Sequence, residues 1–369
     1  MTGVARISAR AMRPLALAQI RHVTPVRPGE ADGLTAQVYR SVEREFGVLV
    51  PPVALHSPAP ETLAAAWLML RETLLAPGLV DRAVREAVAS AVSVANACPY
   101  CVSVHSATLH GLAGGRDART IAAGQLAEVT EPRLRAAATW ATATARRPRP
   151  DEAPHVPFTR EQAPEYAGVA VVFHYLNRMV NTFLEDAPMP PNAPRAGLPV
   201  VERVLSALIR ATGRRIGAPG AALDLLPPAP VPDDLGWARP NPAITQAFAR
   251  AGAAVDRAAR HTVPPAVREL LATEIETWDG QPRGLSRSWV EPPLTTLPPA
   301  DRPAGRLALL VAFASHQIDP TVIEAYRKTH QADADLVTLA SWAALSAARR
   351  TATWLPVPPA PENGPGPHR

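Results

Sequence analysis

Residues 86–105 read Glu86-Ala-Val-Ala-Ser-Ala-Val-Ser-Val-Ala-Asn96-Ala97-Cys98-Pro99-Tyr100-Cys101-Val-Ser-Val-His105. Two runs with apolar residues at helical spacing, Val80 to Ala95 and Tyr100 to Ala113, flank a break at Asn96-Ala97. Pro99 suits a first helical turn, where its missing N–H needs no partner. The same helical period recurs outward from this unit. It predicts helices over Glu30 to Phe46, Glu61 to Leu75, Pro132 to Ala145, Ala163 to Leu184, Val200 to Thr212, Ala243 to Arg260 and Pro265 to Thr277. Arg306 to Ser315, Thr321 to Thr329 and Ala332 to Leu355 complete the set. Strand pairs with hairpin turns are absent from the pattern, so the expected fold is all-α.

Proline divides the chain. Asp186 to Pro194 cannot continue a helix and reads as a linker. A second proline-rich stretch spans Leu226 to Pro242, and the tail beyond Leu355 lacks the apolar residues needed to build a core. Internal comparison places two tandem copies of one helical unit around the linker. Ala83-Val84-Arg85-Glu86 recurs as Ala266-Val267-Arg268-Glu269, 183 residues later. At that offset the Cys98–Cys101 stretch falls on Gln281-Pro282-Arg283-Gly284, and His105 falls on Ser288. Arg178 to Leu184 resembles Arg349 to Leu355, each closing a long helix. The expected organisation is a first domain over 1–185, a linker over 186–198, a degenerate second repeat over 199–355 and a tail over 356–369.

Composition narrows the function classes. The formal charge is +5, but arginines are interspersed with acidic residues, as in Glu43-Arg44-Glu45 and Arg268-Glu269, and Lys328 is the sole lysine. No basic stripe interleaved with aromatics is present, which argues against nucleic acid as a partner. No apolar run approaches the ~18 residues a membrane span needs. Met1 to Arg21 lacks the apolar core and cleavage site of a secretory signal. A cytoplasmic protein is the expectation, and in a reducing compartment a Cys-x-x-Cys pair is catalytic or metal-binding rather than structural.

Cys98 and Cys101 are the only cysteines in the chain. On a helix beginning at Pro99, Cys98, Cys101 and His105 lie at i, i+3 and i+7, on one narrow face. A helix N-terminus favours the thiolate and predicts a lowered thiol pKa. His105 is one turn from Cys101, and the break at Asn96-Ala97 can fold Glu86 back onto His105. A carboxylate orienting a histidine that activates a thiol is the logic of an activated nucleophile. Three other readings stand beside it. Cys98, Cys101 and His105, with Glu86 or His110, have the residue types of a zinc site. A general disulfide oxidoreductase needs only the dithiol, and a duplicated scaffold could retain the thiols without chemistry. Cys-Pro-Tyr-Cys is also the glutaredoxin tetrapeptide, but the strand that leads into it in that fold is missing here.

The spacing Glu86-x11-Cys98-x2-Cys101-x3-His105 resembles the signature of the AhpD-like alkylhydroperoxidases, within the carboxymuconolactone decarboxylase superfamily. The match is clear over about Ala64 to Ala113 and weaker to Leu184. The resemblance implies a helical bundle that assembles as a homo-oligomer, and an antioxidant enzyme that reduces peroxides with thiols. It implies that Cys101 is the peroxidatic thiol, Cys98 the resolving one, and His105 with Glu86 a proton relay. It further implies no metal, flavin or nicotinamide, and electrons from an external dithiol or protein reductant. Tyr100 stands where the best-known members carry a histidine. The superfamily's decarboxylases lack the cysteine pair, which argues against a lactone-type reaction. Outside the motif, His174 reads as a bundle histidine, His155 and His261 as loop surface, Glu269 as helix surface or a buried pair, and Trp140, Trp342 and Trp354 as core.

Overall fold

The computed structural model of the chain describes residues 12–152, 155–188 and 216–358. The helix expected over Val200 to Thr212 and most of the linker lie outside these residues. Among the described residues the secondary structure is helical, with one isolated antiparallel bridge between Ile20 and Leu184. The longer helices are α1 (Gly33–Phe46), α2 (Pro60–Leu70), α3 (Arg82–Ala95), α4 (Pro99–Ala113), α5 (Gly115–Ala122), α6 (Pro132–Ala143) and α7 (Ala163–Phe183) in the first half. The second half holds α8 (Pro242–Thr262), α9 (Pro265–Thr277), α10 (Arg302–Ala314), α11 (Pro320–Arg327) and α12 (Asp333–Ala352).

Proline sets many of these starts. It occupies the first turn of α2, α4, α6 to α11, where fixed φ helps and no N–H is lost to a bond. The expected helix over Glu61 to Leu75 changes character midway: α2 gives way to a π-helical turn, Arg71–Leu75. Glycine 114, at φ +99°, separates α4 from α5, a helix the apolar pattern did not reveal. The break between α3 and α4 is made by Ala97 in the left-handed region, φ +48°. For a non-glycine residue that costs roughly 1–2 kcal/mol, held here by the packing of α3 and α4 against each other.

The core is shared by both halves. In the first, α3 packs against α4, α6 and α7; in the second, α10 packs against α9, α11 and α12. Across the middle, α8 lies along α2 and α12 along α7. One continuous apolar cluster therefore runs from Val38 to Leu345, with Trp67, Phe173, Phe183 and Tyr326 among its buried aromatics. Helix starts keep a common spacing: α3 and α9 begin 183 residues apart, whereas α6 and α10, and likewise α7 and α12, begin 170 apart. In the proline-rich stretch, the turn Asp233–Ala238 buries Leu235 and Trp237. At the start of the tail, Trp140 Nε1 donates to the Pro356 carbonyl (2.9 Å). Trp140 and Trp354 are buried and Trp342 is partly so, as core residues should be.

Two polar clusters are sealed inside this core. Arg71, fully buried in the π-helical turn, bonds Glu45 through Nε (3.0 Å) and Glu72 through Nη1, and both carboxylates are buried too. The same cluster holds the chain re-entering after the undescribed segment: Arg71 Nη2 donates to the Ala218 carbonyl (3.1 Å) and Gly220 N–H to Glu72 (2.8 Å). In the second cluster, Tyr175 Oη lies 2.8 Å from both His56 Nε2 and Ser341 Oγ, joining α7 to α12. Burial lowers the His56 pKa to about 4, so it is neutral there.

Candidate active site

Helix α4 starts one residue after Cys98, which is its N-cap, and the next turn carries Cys101 and then His105. The i, i+3, i+7 face predicted for them is thus present. Both thiols are free and almost wholly buried, Cys98 at 1% and Cys101 at 3% exposure. His105 keeps 12% of its side chain exposed. Its Nδ1 lies 2.6 Å from Glu86 Oε2, so the fold-back at Ala97 does bring α3's carboxylate onto α4's imidazole. The His105 ring also meets the Phe173 ring of α7 edge to face, with centroids 4.5 Å apart.

Glu86 is fully buried, and its other oxygen is occupied. Arg82, one turn earlier on α3, reaches Glu86 Oε1 through Nε (2.7 Å) and Nη2 (2.5 Å). Burial pushes the Glu86 carboxyl up, but Arg82 and His105 outweigh it and hold its pKa at about 2. Arg82 was not among the residues singled out from the sequence, although its i−4 position relative to Glu86 is the spacing of a helical ion pair.

The thiols depart from expectation in one respect. The position at a helix N-terminus predicted a lowered thiol pKa; at Cys101 burial dominates and, with the neighbouring Cys98 thiol, pushes it well up. The Asn177 amide of α7 works in the opposite direction on Cys101. That amide is part of a buried chain behind the thiols. Ser93 Oγ donates to the Ala89 carbonyl (2.7 Å) and accepts from Asn177 Nδ2 (3.0 Å), while Asn177 Oδ1 accepts from Asn96 Nδ2 (3.0 Å). Asn96 also lies 3.1 Å from His174 Nδ1, and His174 Nε2 lies 3.0 Å from Thr144 Oγ1. His174 is therefore the satisfied bundle histidine the sequence suggested, fully buried and pushed well down in pKa by burial and then by Arg178.

In front of the thiols lies an apolar cavity of about 310 Å³. Phe46, Leu49, Leu74, Val104, Phe173 and Leu176 supply most of its wall, and Cys101, His105 and Tyr100 supply its chemistry. Its outer side is closed by residues 12–19, of which Met12, Leu15, Ala16 and Gln19 face the space. Tyr100 Oη donates to Gln19 Oε1 (3.1 Å), and Arg13 pairs with Glu43 of α1 (2.5 and 2.6 Å). Tyr100 thus ties the cysteine turn to the covering segment. Such a long-range partner leaves no trace in local spacing.

The remaining candidates lie elsewhere. Among the described residues, no three His, Cys, Asp or Glu side chains converge in metal-binding geometry, and His110 is exposed at the far end of α4. His155 and His261 are exposed. In the second half Glu269 is exposed on α9, and the stretch aligned with the cysteines is a loop ahead of the turn Arg287–Val290. No helix among the described residues is long and apolar enough to cross a membrane.

Comparison with known proteins agrees with this geometry. Residues 61–143, which contain α2, α3, α4 and most of α6, match the model of the carboxymuconolactone decarboxylase family. The chain is similar to the alkyl hydroperoxide reductase Rv2159c of Mycobacterium tuberculosis, with 36% identity over 338 residues covering 91% of this chain and 95% of that protein. With the cysteine pair, the buried glutamate–histidine contact and an all-helical bundle in place, the chain belongs to the carboxymuconolactone decarboxylase family as an AhpD-like member.

Proposed function

We propose that the protein is a thiol-dependent peroxidase that reduces organic hydroperoxides through a Cys98–Cys101 disulfide cycle. The observation that carries this reading is the meeting, on one apolar cavity wall, of the Cys101 thiol with a histidine already paired to a buried carboxylate. Among the described residues no hydrogen bond joins Cys101 to His105, so the peroxide itself completes the path between them. Its O–OH group bridges the two side chains. The Cys101 proton passes through that bridge to His105, and Glu86 stabilises the imidazolium that forms.

The Cys101 thiolate then attacks the terminal peroxide oxygen. The O–O bond breaks, the alkoxide takes the proton from His105 and leaves as alcohol, and Cys101 becomes a sulfenic acid. Cys98 attacks that sulfur, forming the disulfide and releasing water. An external dithiol or protein reductant returns both thiols by exchange. The apolar wall supports substrates with a hydrocarbon tail over hydrogen peroxide. The two-repeat organisation, with the equipped unit in 1–185 and a degenerate one in 199–355, is part of the same reading, supported by the 183- and 170-residue spacings of helix starts. It implies one active site per chain.

The test is peroxide consumption by purified protein with a dithiol donor, comparing cumene hydroperoxide with hydrogen peroxide, and with Cys101→Ser as control. Consumption that requires Cys101 and favours the organic peroxide supports the proposal. Thiols inert to both peroxides at neutral pH overturn it.

A further inference from the structure

The first oxygen of Glu86 serves His105, and the second is fully taken by Arg82. That sharing has a consequence for the imidazole. A histidine facing a buried carboxylate alone is held as imidazolium, because the nearest charge is an unscreened anion. A proton relay needs a group that both takes and releases the proton near the working pH. Two cations on one carboxylate compete for its field. We propose that Arg82 is a positioning residue of the relay: it holds Glu86 as a carboxylate turned toward His105 and, by sharing its charge, lets the imidazolium give its proton up.

The surroundings leave Arg82 as the side chain placed to do this. His105 faces Glu86 and Arg82 from α3, Tyr100 and Cys101 from its own helix, and the uncharged Phe173 from α7. Arg85, next to Glu86, is buried and committed to the Thr73 and Ala76 carbonyls (3.2 and 2.7 Å). Asp81 points to solvent and pairs with Arg133 (3.1 Å). Arg82 is the one of these cations in direct contact with the carboxylate, with 19% of its side chain exposed.

This inference rests on the relay reading above, so its test reads the histidine rather than turnover. The His105 ring is titrated by NMR in the full-length reduced protein, beside Arg82→Gln, Arg82→Ala, Arg82→Lys and Glu86→Gln. Removing the nearby cation in Arg82→Gln or Arg82→Ala should raise the His105 midpoint by about one pH unit. Arg82→Lys, which keeps the charge, should restore most of the original value, and Glu86→Gln should lower the midpoint. The acid limb of the sulfenic-acid formation rate should move up with the midpoint in Arg82→Gln. A midpoint that stays put or falls in both charge-removing variants overturns the role of Arg82, whether or not the protein consumes peroxide. An absence of peroxide consumption by the wild type, with the midpoint shift intact, overturns the peroxidase reading alone.

Discussion

Cys101 contributes to the cavity wall and Cys98, three residues before it, does not, although both are buried. Cys98 is the N-cap, outside the helical turn, whereas Cys101 is inside it and shares a face with His105. The two thiols are therefore placed unequally toward anything that enters the cavity, and only one is positioned to meet substrate.

From this asymmetry, Cys101→Ser should reduce peroxide consumption to background. Cys98→Ser should still react once, giving a Cys101 sulfenic acid that cannot close to an intramolecular disulfide. Mass spectrometry with a sulfenic-acid trap separates the two: a trapped adduct on Cys101 in Cys98→Ser is expected, and none in Cys101→Ser.

His105→Ala should lower the rate of sulfenic-acid formation by about 10²–10⁴-fold, the usual worth of a positioned proton-transfer group. Stopped-flow oxidation of the reduced protein measures this step without the reductant.

The Glu86 contact also makes stability depend on pH. Its folded pKa, about 2, is below the ordinary 4.5. The stabilisation is thus fully present above about pH 4.5 and is lost as pH falls toward 2. The shift corresponds to roughly 3 kcal/mol at most. Urea denaturation at pH 7 and pH 3 should show a steeper acid loss in the wild type than in Glu86→Gln.

Leu74 is buried in the cavity wall. Leu74→Gln should raise KM for cumene hydroperoxide about tenfold, since an apolar contact of roughly 1.5–3 kcal/mol is lost on binding. The rate with hydrogen peroxide, which has no tail to place, should change little. Steady-state kinetics with both peroxides decides.

Arg71→Met should destabilise the fold by about 3–5 kcal/mol, because it leaves Glu45 and Glu72 buried and facing each other without their cation. A fall in the urea midpoint with little change in the slope would show this.

Much of this protein is written in local spacing. Proline at helix starts, the 3.6 period from Gly33 to Ala352 and the cysteine–histidine interval follow from backbone geometry, and α9 matches its expected bounds, Pro265 to Thr277, residue for residue. The Glu86–His105 contact was legible because one short break joins the two helices that carry it. Other helix ends moved by one to four residues, as N-terminal prolines and frayed last turns set them.

What only the tertiary structure decided depends on residues far apart in the chain. The covering segment meets Tyr100 through Gln19, Asn177 reaches the thiols from α7, and the second half lays α8 and α12 along α2 and α7. The direction of the Cys101 pKa belongs here too. A helix N-terminus acts on a thiol within one turn and can be read locally, whereas desolvation sums over every element packed around the sulfur. At this cysteine pair the second effect is the larger, and the sequence by itself determined only the first.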